Sequence, residues 1–141
     1  MRKSKISISG FKIGTAENRE GLTGVTVILA PDGGATAGVD VRGCAPGTRE
    51  TDLLDPRKTV QKIHAVVLSG GSAFGLEAAS GCVKYLAEQG VGFPIGNVCV
   101  PIVCSAVLFD LMIGDEKAYP DLLMGYEAAK SASSEFLSGC N

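Results

Sequence analysis

The chain has no tryptophan, one histidine, three tyrosines and five phenylalanines. Base-stacking platforms need aromatic side chains in number, so single-stranded nucleic acid is excluded as a natural partner. There is no excess of positive charge either. Thirteen Lys and Arg face fifteen Asp and Glu, for a net charge of −2, which gives no basic footprint for phosphate backbones. No window is long and apolar enough to span a bilayer. The N-terminus, "MRKSKISISGF", is basic but has no apolar run behind it, which argues against a signal peptide. The expectation is a cytoplasmic protein with no membrane partner.

Cysteine is present but unpaired in pattern. Five cysteines stand at 44, 82, 99, 104 and 140. The number is odd and no C-x-x-C occurs. The residues between Cys99 and Cys104 are apolar, and His64 is distant in sequence. Free thiols without a metal or a disulfide are expected, as in a reducing compartment.

What is present reads as one α/β piece. At 141 residues the chain makes a single domain or part of one, with 45% hydrophobic and 20% charged residues. The runs "GVTVILA" (24–30) and "ATAGVDVRG" (35–43) flank "PDGG", and this spacing predicts a β-hairpin. The loop 42–56, "RGCAPGTRETDLLDP", is long and polar. It reads as a salt-bridged surface loop or as a site wall. Asp55 and Pro56 suit the start of a short helix over 55–63. "HAVVLS" (64–69) is a buried strand. "SAFGLEAASGCVKYLAEQG" (72–90) is a helix, with Phe74, Leu76, Ala79, Val83 and Leu86 near one face and Gly90 at the C-cap. "VPIVCSAVLFDL" (100–111) belongs in the core. Residues 119–139 read as a second helix.

The stretch "AVVLSGGSAFGLEAA" (65–79) places Ser72 on a strand-to-helix turn. Ser72 fails as a hydrolase nucleophile elbow, because the second glycine of G-x-S-x-G is Phe74 here. His64 is eight positions away along an extended segment, roughly 25 Å at strand rise, too far for a triad. A phosphate loop would need a lysine, and Gly70, Gly71 and Gly75 do not fit G-x-G-x-x-G. Two readings remain for Gly70, Gly71 and Ser72. One is an anion or carbonyl site made from backbone N–H groups at a helix N-terminus. The other is a tight turn that binds nothing.

Taken together, "GLTGVTVILAPDG", "AGVDVRGCAPGTRETDLL", "HAVVLSGGSAFGLEAA", "VPIVCSAVLFDL" and "MGYEAAKSAS" resemble the self-processing aminopeptidases of the DmpA type (L-aminopeptidase/D-amidase-esterases). The resemblance runs from about Gly21 to Asn141. It implies part of an αββα sandwich of the DmpA/ornithine acetyltransferase type, incomplete without a downstream half. It implies an aminopeptidase or amidase whose precursor cuts itself, so that the new N-terminal Ser or Thr is the nucleophile and its α-amino group serves as base. That nucleophile would lie downstream of Asn141. Asn141 would be an oxyanion donor, and the Gly70–Gly71–Ser72 turn would face a peptide or amide substrate. No cofactor is implied. The partners implied are the downstream half and further copies in a homo-oligomer. Cys44 and Cys104 depart from the family pattern, where "RGGAPGT" has Gly and "VPIVPAAV" has Pro. Cys44 would be unfavourable if its backbone needed positive φ. An inactive assembly module of the same fold is the alternative, and an ornithine acetyltransferase-like acyl transferase is a further one with poorer motif agreement.

Overall fold

The computed structural model describes residues 2–138. Its centre is a five-stranded sheet in the order β2-β3-β5-β8-β4. The strands are β2 (Lys12–Asn18), β3 (Thr23–Leu29), β4 (Thr48–Arg49), β5 (Ala65–Ser69) and β8 (Val103–Val107). β5 and β8 run parallel, and the other neighbours are antiparallel. The crossover from β5 to β8 carries helix α1 (Ala78–Glu88) and a hairpin of β6 (Phe93–Ile95) and β7 (Val98–Val100). Helix α2 (Leu122–Lys130) follows β8. β1 (Arg2–Lys5) pairs with β9 (Glu135–Ser138) as a separate ribbon.

The core lies between the sheet and the two helices. β3 alternates, so Val25, Val27 and Leu29 are buried while Thr26 and Ile28 are half-buried on the other side. Register places Val27 beside Val67, and Ala65 beside Val103. These meet Ala78, Ala79, Cys82 and Leu86 of α1 and Ala128 and Ala129 of α2. The helix residues are small because the helices touch through their backbones. A Cβ on Gly81 would strike the Leu122 carbonyl, and one on Gly125 the Ala78 carbonyl. Gly14 of β2 meets the Ala128 carbonyl in the same way. Glycine weakens each element intrinsically, and the close approach is what it makes possible.

The opposite face of the sheet carries no helix. Ile28 and Val66 are half-buried there and Leu68 is 46% exposed.

Several expectations need correction. Residues 35–43 form no strand beside 24–30. Their one sheet-like contact is an isolated bridge from Ala35 to Ile63, and Val39 and Val41 are exposed. β3 instead pairs with β2. That strand is hard to read because "KIGTAEN" mixes polar residues with a buried glycine. Residues 55–63 form no helix. The Asp55 carboxylate accepts from the Arg57 backbone N–H and from its guanidinium, which makes a local turn in place of an N-cap. The helix expected over 72–90 starts as a 3₁₀ segment, Ser72–Glu77, and becomes α-helical at Ala78. Phe74 points to solvent. Gly90 has φ 68° as a C-cap glycine should. The helix expected over 119–139 stops at Lys130, and 135–138 is strand. Its N-cap is Asp121, which accepts from the Met124 N–H at 2.8 Å. Within 100–111 only Val103–Cys104–Ser105 is buried, and Leu108 and Phe109 are each 72% exposed. The backbone of Cys44 is not at positive φ. Gly43 takes that role, at 93°.

Candidate functional site

β5 and β8 are adjacent and parallel, so their C-terminal ends open side by side. In open α/β sheets such a crevice is the usual ligand site. Two segments meet there: the 70–72 turn after β5 and the 108–113 segment after β8. They are cross-tied. Leu108 N–H donates to the Ser69 carbonyl at 2.8 Å, and Ser72 N–H donates to the Leu108 carbonyl at 2.8 Å.

The turn has an unusual backbone. Gly71 has φ 81° and Ser72 has φ 52°. Positive φ costs a non-glycine residue free energy, so surrounding bonds must hold Ser72 there. Asp110 supplies the main tie. Its Oδ1 accepts from Gly71 N–H at 2.6 Å, and its Oδ2 accepts from the Thr23 hydroxyl at 2.8 Å. Gly70 N–H donates to the Gly24 carbonyl at 2.9 Å. The N–H groups of Gly70, Gly71 and Ser72 are therefore all engaged within the chain. Nothing in "VLFDL" singles out Asp110 except that it is a charge inside an apolar run.

Beside this turn lies a cleft of about 770 Å³. Gly70, Thr23, Asp110, Leu108 and Ile113 line one side, and Thr15, Glu17 and Thr26 of β2 and β3 line another. Of the three turn residues expected to meet substrate, Gly70 reaches the cleft wall. Gly71 is buried against Tyr119 and Pro120, and Ser72 is half-buried behind it. Phe74 stacks on Tyr119 at 4.8 Å. Asn141 lies outside the described residues.

The chain's one histidine does not stand near Ser72. His64 opens β5 at the other end, is 5% exposed, and accepts from the Ile102 N–H through Nδ1 at 3.0 Å. Burial lowers its pKa below the ordinary imidazole value. The described thiols, Cys44, Cys82, Cys99 and Cys104, are free, and Cys140 lies outside the described residues. Burial pushes Cys82 up to about 12. Cys104 is also raised, by burial and by the nearby Glu50 charge. Neither is an activated nucleophile at neutral pH. Among the described residues no three His, Cys, Asp or Glu side chains converge on a possible metal site. No described helix is long and apolar enough to cross a membrane.

The architecture has a counterpart among solved structures. Ornithine acetyltransferase from Mycobacterium tuberculosis, complexed with ornithine, is similar with a TM-score of 0.55. The similarity covers 94% of this chain and 76% of that one at 14% identity, so it speaks to the fold alone. The fold class is mixed α/β of that type.

Sequence comparison is more specific. The sequence model of peptidase family S58 matches residues 6–141, and the chain belongs to that family. An uncharacterized aminopeptidase of Mycobacterium leprae is 50% identical over 109 residues, which is 77% of this chain and 30% of that protein. A 6-aminohexanoate-oligomer endohydrolase of Kocuria sp. is 35% identical over 128 residues, 91% of this chain and 33% of that protein. The chain thus spans about a third of the length of these curated relatives.

Proposed function

We propose that this chain is the N-terminal part of a hydrolase that releases N-terminal residues from peptides, amides or esters. Its nucleophile is an N-terminal Ser or Thr freed by self-cleavage downstream of Asn141. One observation carries the reading. The cleft beside the ends of β5 and β8 is walled by backbone, apolar side chains, threonine hydroxyls, Asn18, Arg19 and the carboxylates of Glu17 and Asp110, while the chain's one histidine sits at the far end of β5. A nucleophile that brings its own α-amino base needs no histidine in that cleft. Membership of peptidase family S58 and the names of the relatives support amide-bond hydrolysis. The bare sheet face, with Ile28, Val66 and Leu68, suits the downstream half as partner. Asn141 donates to the oxyanion, and the Gly70–Gly71–Ser72 turn shapes the substrate wall through Gly70. The full protein is a cytoplasmic homo-oligomer.

The test compares the full-length protein with residues 1–141 alone. The full-length protein should split into two fragments by mass spectrometry and hydrolyse aminoacyl p-nitroanilides. The isolated chain should not. Asn141→Ala in the full-length protein should lower kcat by about 10²–10³-fold, as loss of one oxyanion donor does. Ser72→Ala should stay within about threefold, because its hydroxyl takes no part in attack. Turnover by residues 1–141 that survives Asn141→Ala and disappears in Ser72→Ala would make Ser72 the nucleophile and overturn the proposal.

A further inference from the structure

We infer that Asp110 is a positioning residue for the hydrolytic site, acting by holding the turn that walls the cleft; the inference rests on the hydrolase reading above. Four observations place it there. Its two carboxylate oxygens are divided between two elements, with Gly71 N–H on Oδ1 and the Thr23 hydroxyl on Oδ2. One side chain thereby joins the end of β5, the start of β3 and the segment after β8. Second, the turn it holds is strained. Ser72, a non-glycine residue after Gly71, sits at positive φ, a shape that persists only where the surroundings over-determine it.

Third, the carboxylate is packed directly against Gly70. A Cβ on Gly70 would collide with Asp110 Oδ2 and Thr23 Oγ1. Glycine at 70 is required for the carboxylate to reach the turn. Fourth, Asp110, Thr23 and Gly70 all line the same cleft. A shift of the carboxylate therefore moves the wall itself. Charge-assisted bonds from a carboxylate to backbone N–H are among the stronger hydrogen bonds, and this one lies at 2.6 Å. Displacing a wall near reacting atoms by about 1 Å can cost on the order of 10²-fold in rate.

Two substitutions separate positioning from charge. Asn at 110 can accept from Gly71 N–H through its carbonyl and donate to the Thr23 oxygen through its amide. Leu has nearly the same shape and can do neither. The experiment uses the full-length protein and measures self-cleavage by mass spectrometry, kcat and KM with an aminoacyl p-nitroanilide, and active sites by burst titration. Rates are expressed per titrated site, so misfolded protein does not count. Asp110→Asn should stay within about threefold of wild type, because both pairings survive. Asp110→Leu should lose about 30–100-fold in kcat per site with a smaller change in KM, the loss expected of a displaced wall. If Asp110→Leu yields no folded protein, Thr23→Val removes a single bond and should lower kcat per site by about 3–10-fold. Hydrogen exchange at Gly71 N–H gives a readout independent of catalysis: protected in wild type and Asp110→Asn, fast in Asp110→Leu.

Asp110→Leu or Thr23→Val with wild-type kcat per site would overturn the inference, as would an unprotected Gly71 amide in wild type. A wild-type full-length protein that neither cleaves itself nor turns over substrate would instead sink the hydrolase reading. The Gly71 exchange result would still decide whether Asp110 holds the turn.

Discussion

On one face of the central sheet, Val25, Val27, Ala65, Val67 and Val103 lie under two helices and are almost wholly buried. On the other, Ile28, Val66 and Leu68 occupy the alternate positions of the same strands and have no helix above them. On β3 and β5 both sides are largely apolar, with Thr26 the polar exception on the uncovered side. Strands that are apolar on both faces are typical of sheets covered on both faces. The helix-covered face meets α2 through backbone contact at Gly14, and α1 and α2 meet each other in the same way at Gly81 and Gly125. The other face is buried at Cys104, against the Glu50 carbonyl, but at Ile28, Val66 and Leu68 no described helix covers it. It is a surface awaiting cover, whereas the first is a finished core.

Charge placed on the two faces should break the symmetry most sharply. Val27→Asp buries an unpaired carboxylate and should cost about 4 kcal/mol or more, enough to prevent folding. Leu68→Asp should change the stability of residues 1–141 by no more than about 0.5 kcal/mol. Urea denaturation followed by circular dichroism reads both. If Leu68→Asp also prevents folding of residues 1–141, the two faces are not different in kind.

A smaller effect probes the helix layer. Gly125→Ala raises intrinsic helix propensity but drives a methyl into the Ala78 carbonyl. We expect a net loss of about 1–3 kcal/mol in the same urea experiment, as overpacking usually gives. A gain in stability would mean that α1 and α2 can move apart freely.

The next effect depends on pH. Burial disfavours the charged form of His64, so its folded pKa lies below 6.5. The unfolded chain then binds a proton more readily than the folded chain. Stability is therefore full above the unfolded value and falls as pH drops below it. Thermal unfolding should show a lower midpoint at pH 5.5 than at pH 7.5, and His64→Asn should flatten that slope. Asn keeps an acceptor for the Ile102 N–H. An unchanged slope in His64→Asn would assign the pH dependence to other groups.

The smallest perturbation is chemical labelling. Cys44 and Cys99 are exposed, whereas Cys82 and Cys104 are buried. A thiol reagent on native residues 1–141 should modify Cys44 and Cys99 rapidly, and Cys82 and Cys104 only after denaturation. Mass mapping of the labelled peptides checks this. Fast labelling of Cys82 would show that the helix-covered face opens readily.

The legible parts of the sequence were those where one physical pressure dominates. β5 is β-branched and ends at a Gly pair, and α1 carries small residues at helical spacing up to Gly90, so strand and turn fell where expected and the helix did so from Ala78 onward. Misreadings came where side chains compete with the backbone. In "SASS", Ser131 Oγ donates to the Ala128 carbonyl, while Ser133 Oγ bonds Glu135 at both N–H and C=O. These bonds end α2 and start β9 where apolar spacing alone continued the helix. Asp55 with Arg57 does the same to the helix expected over 55–63. The hairpin over 24–43 failed because turn residues at Pro31–Gly34 do make a turn, with Gly34 N–H on the Pro31 carbonyl. The chain leaving that turn then runs to Ile63 and not back along β3. The turn at 70–72 was visible from Gly-Gly-Ser. Its tie to Asp110 was not, because a contact between residues 39 apart leaves no local pattern.

The glycine contacts between α1, α2 and β2 have a consequence for how the cleft can respond to an occupant. Helices touching backbone to backbone have no side-chain layer between them to rearrange, so neither can slide or tilt without breaking hard contacts. The 3₁₀ segment after the turn runs directly into α1, so one side of the cleft is fixed to this stiff slab. On the same side, Leu108, Phe109, Met112 and Ile113 have exposed side chains, but the backbone of Leu108 and the carboxylate of Asp110 tie that segment to the turn. Compliance is therefore divided unequally. Groups with few buried contacts move at low free energy, so a ligand that fits poorly will be met first by the exposed side chains of Leu108 and Ile113, with the tied backbones of 70–72 and 108–110 serving together as the fixed jaw.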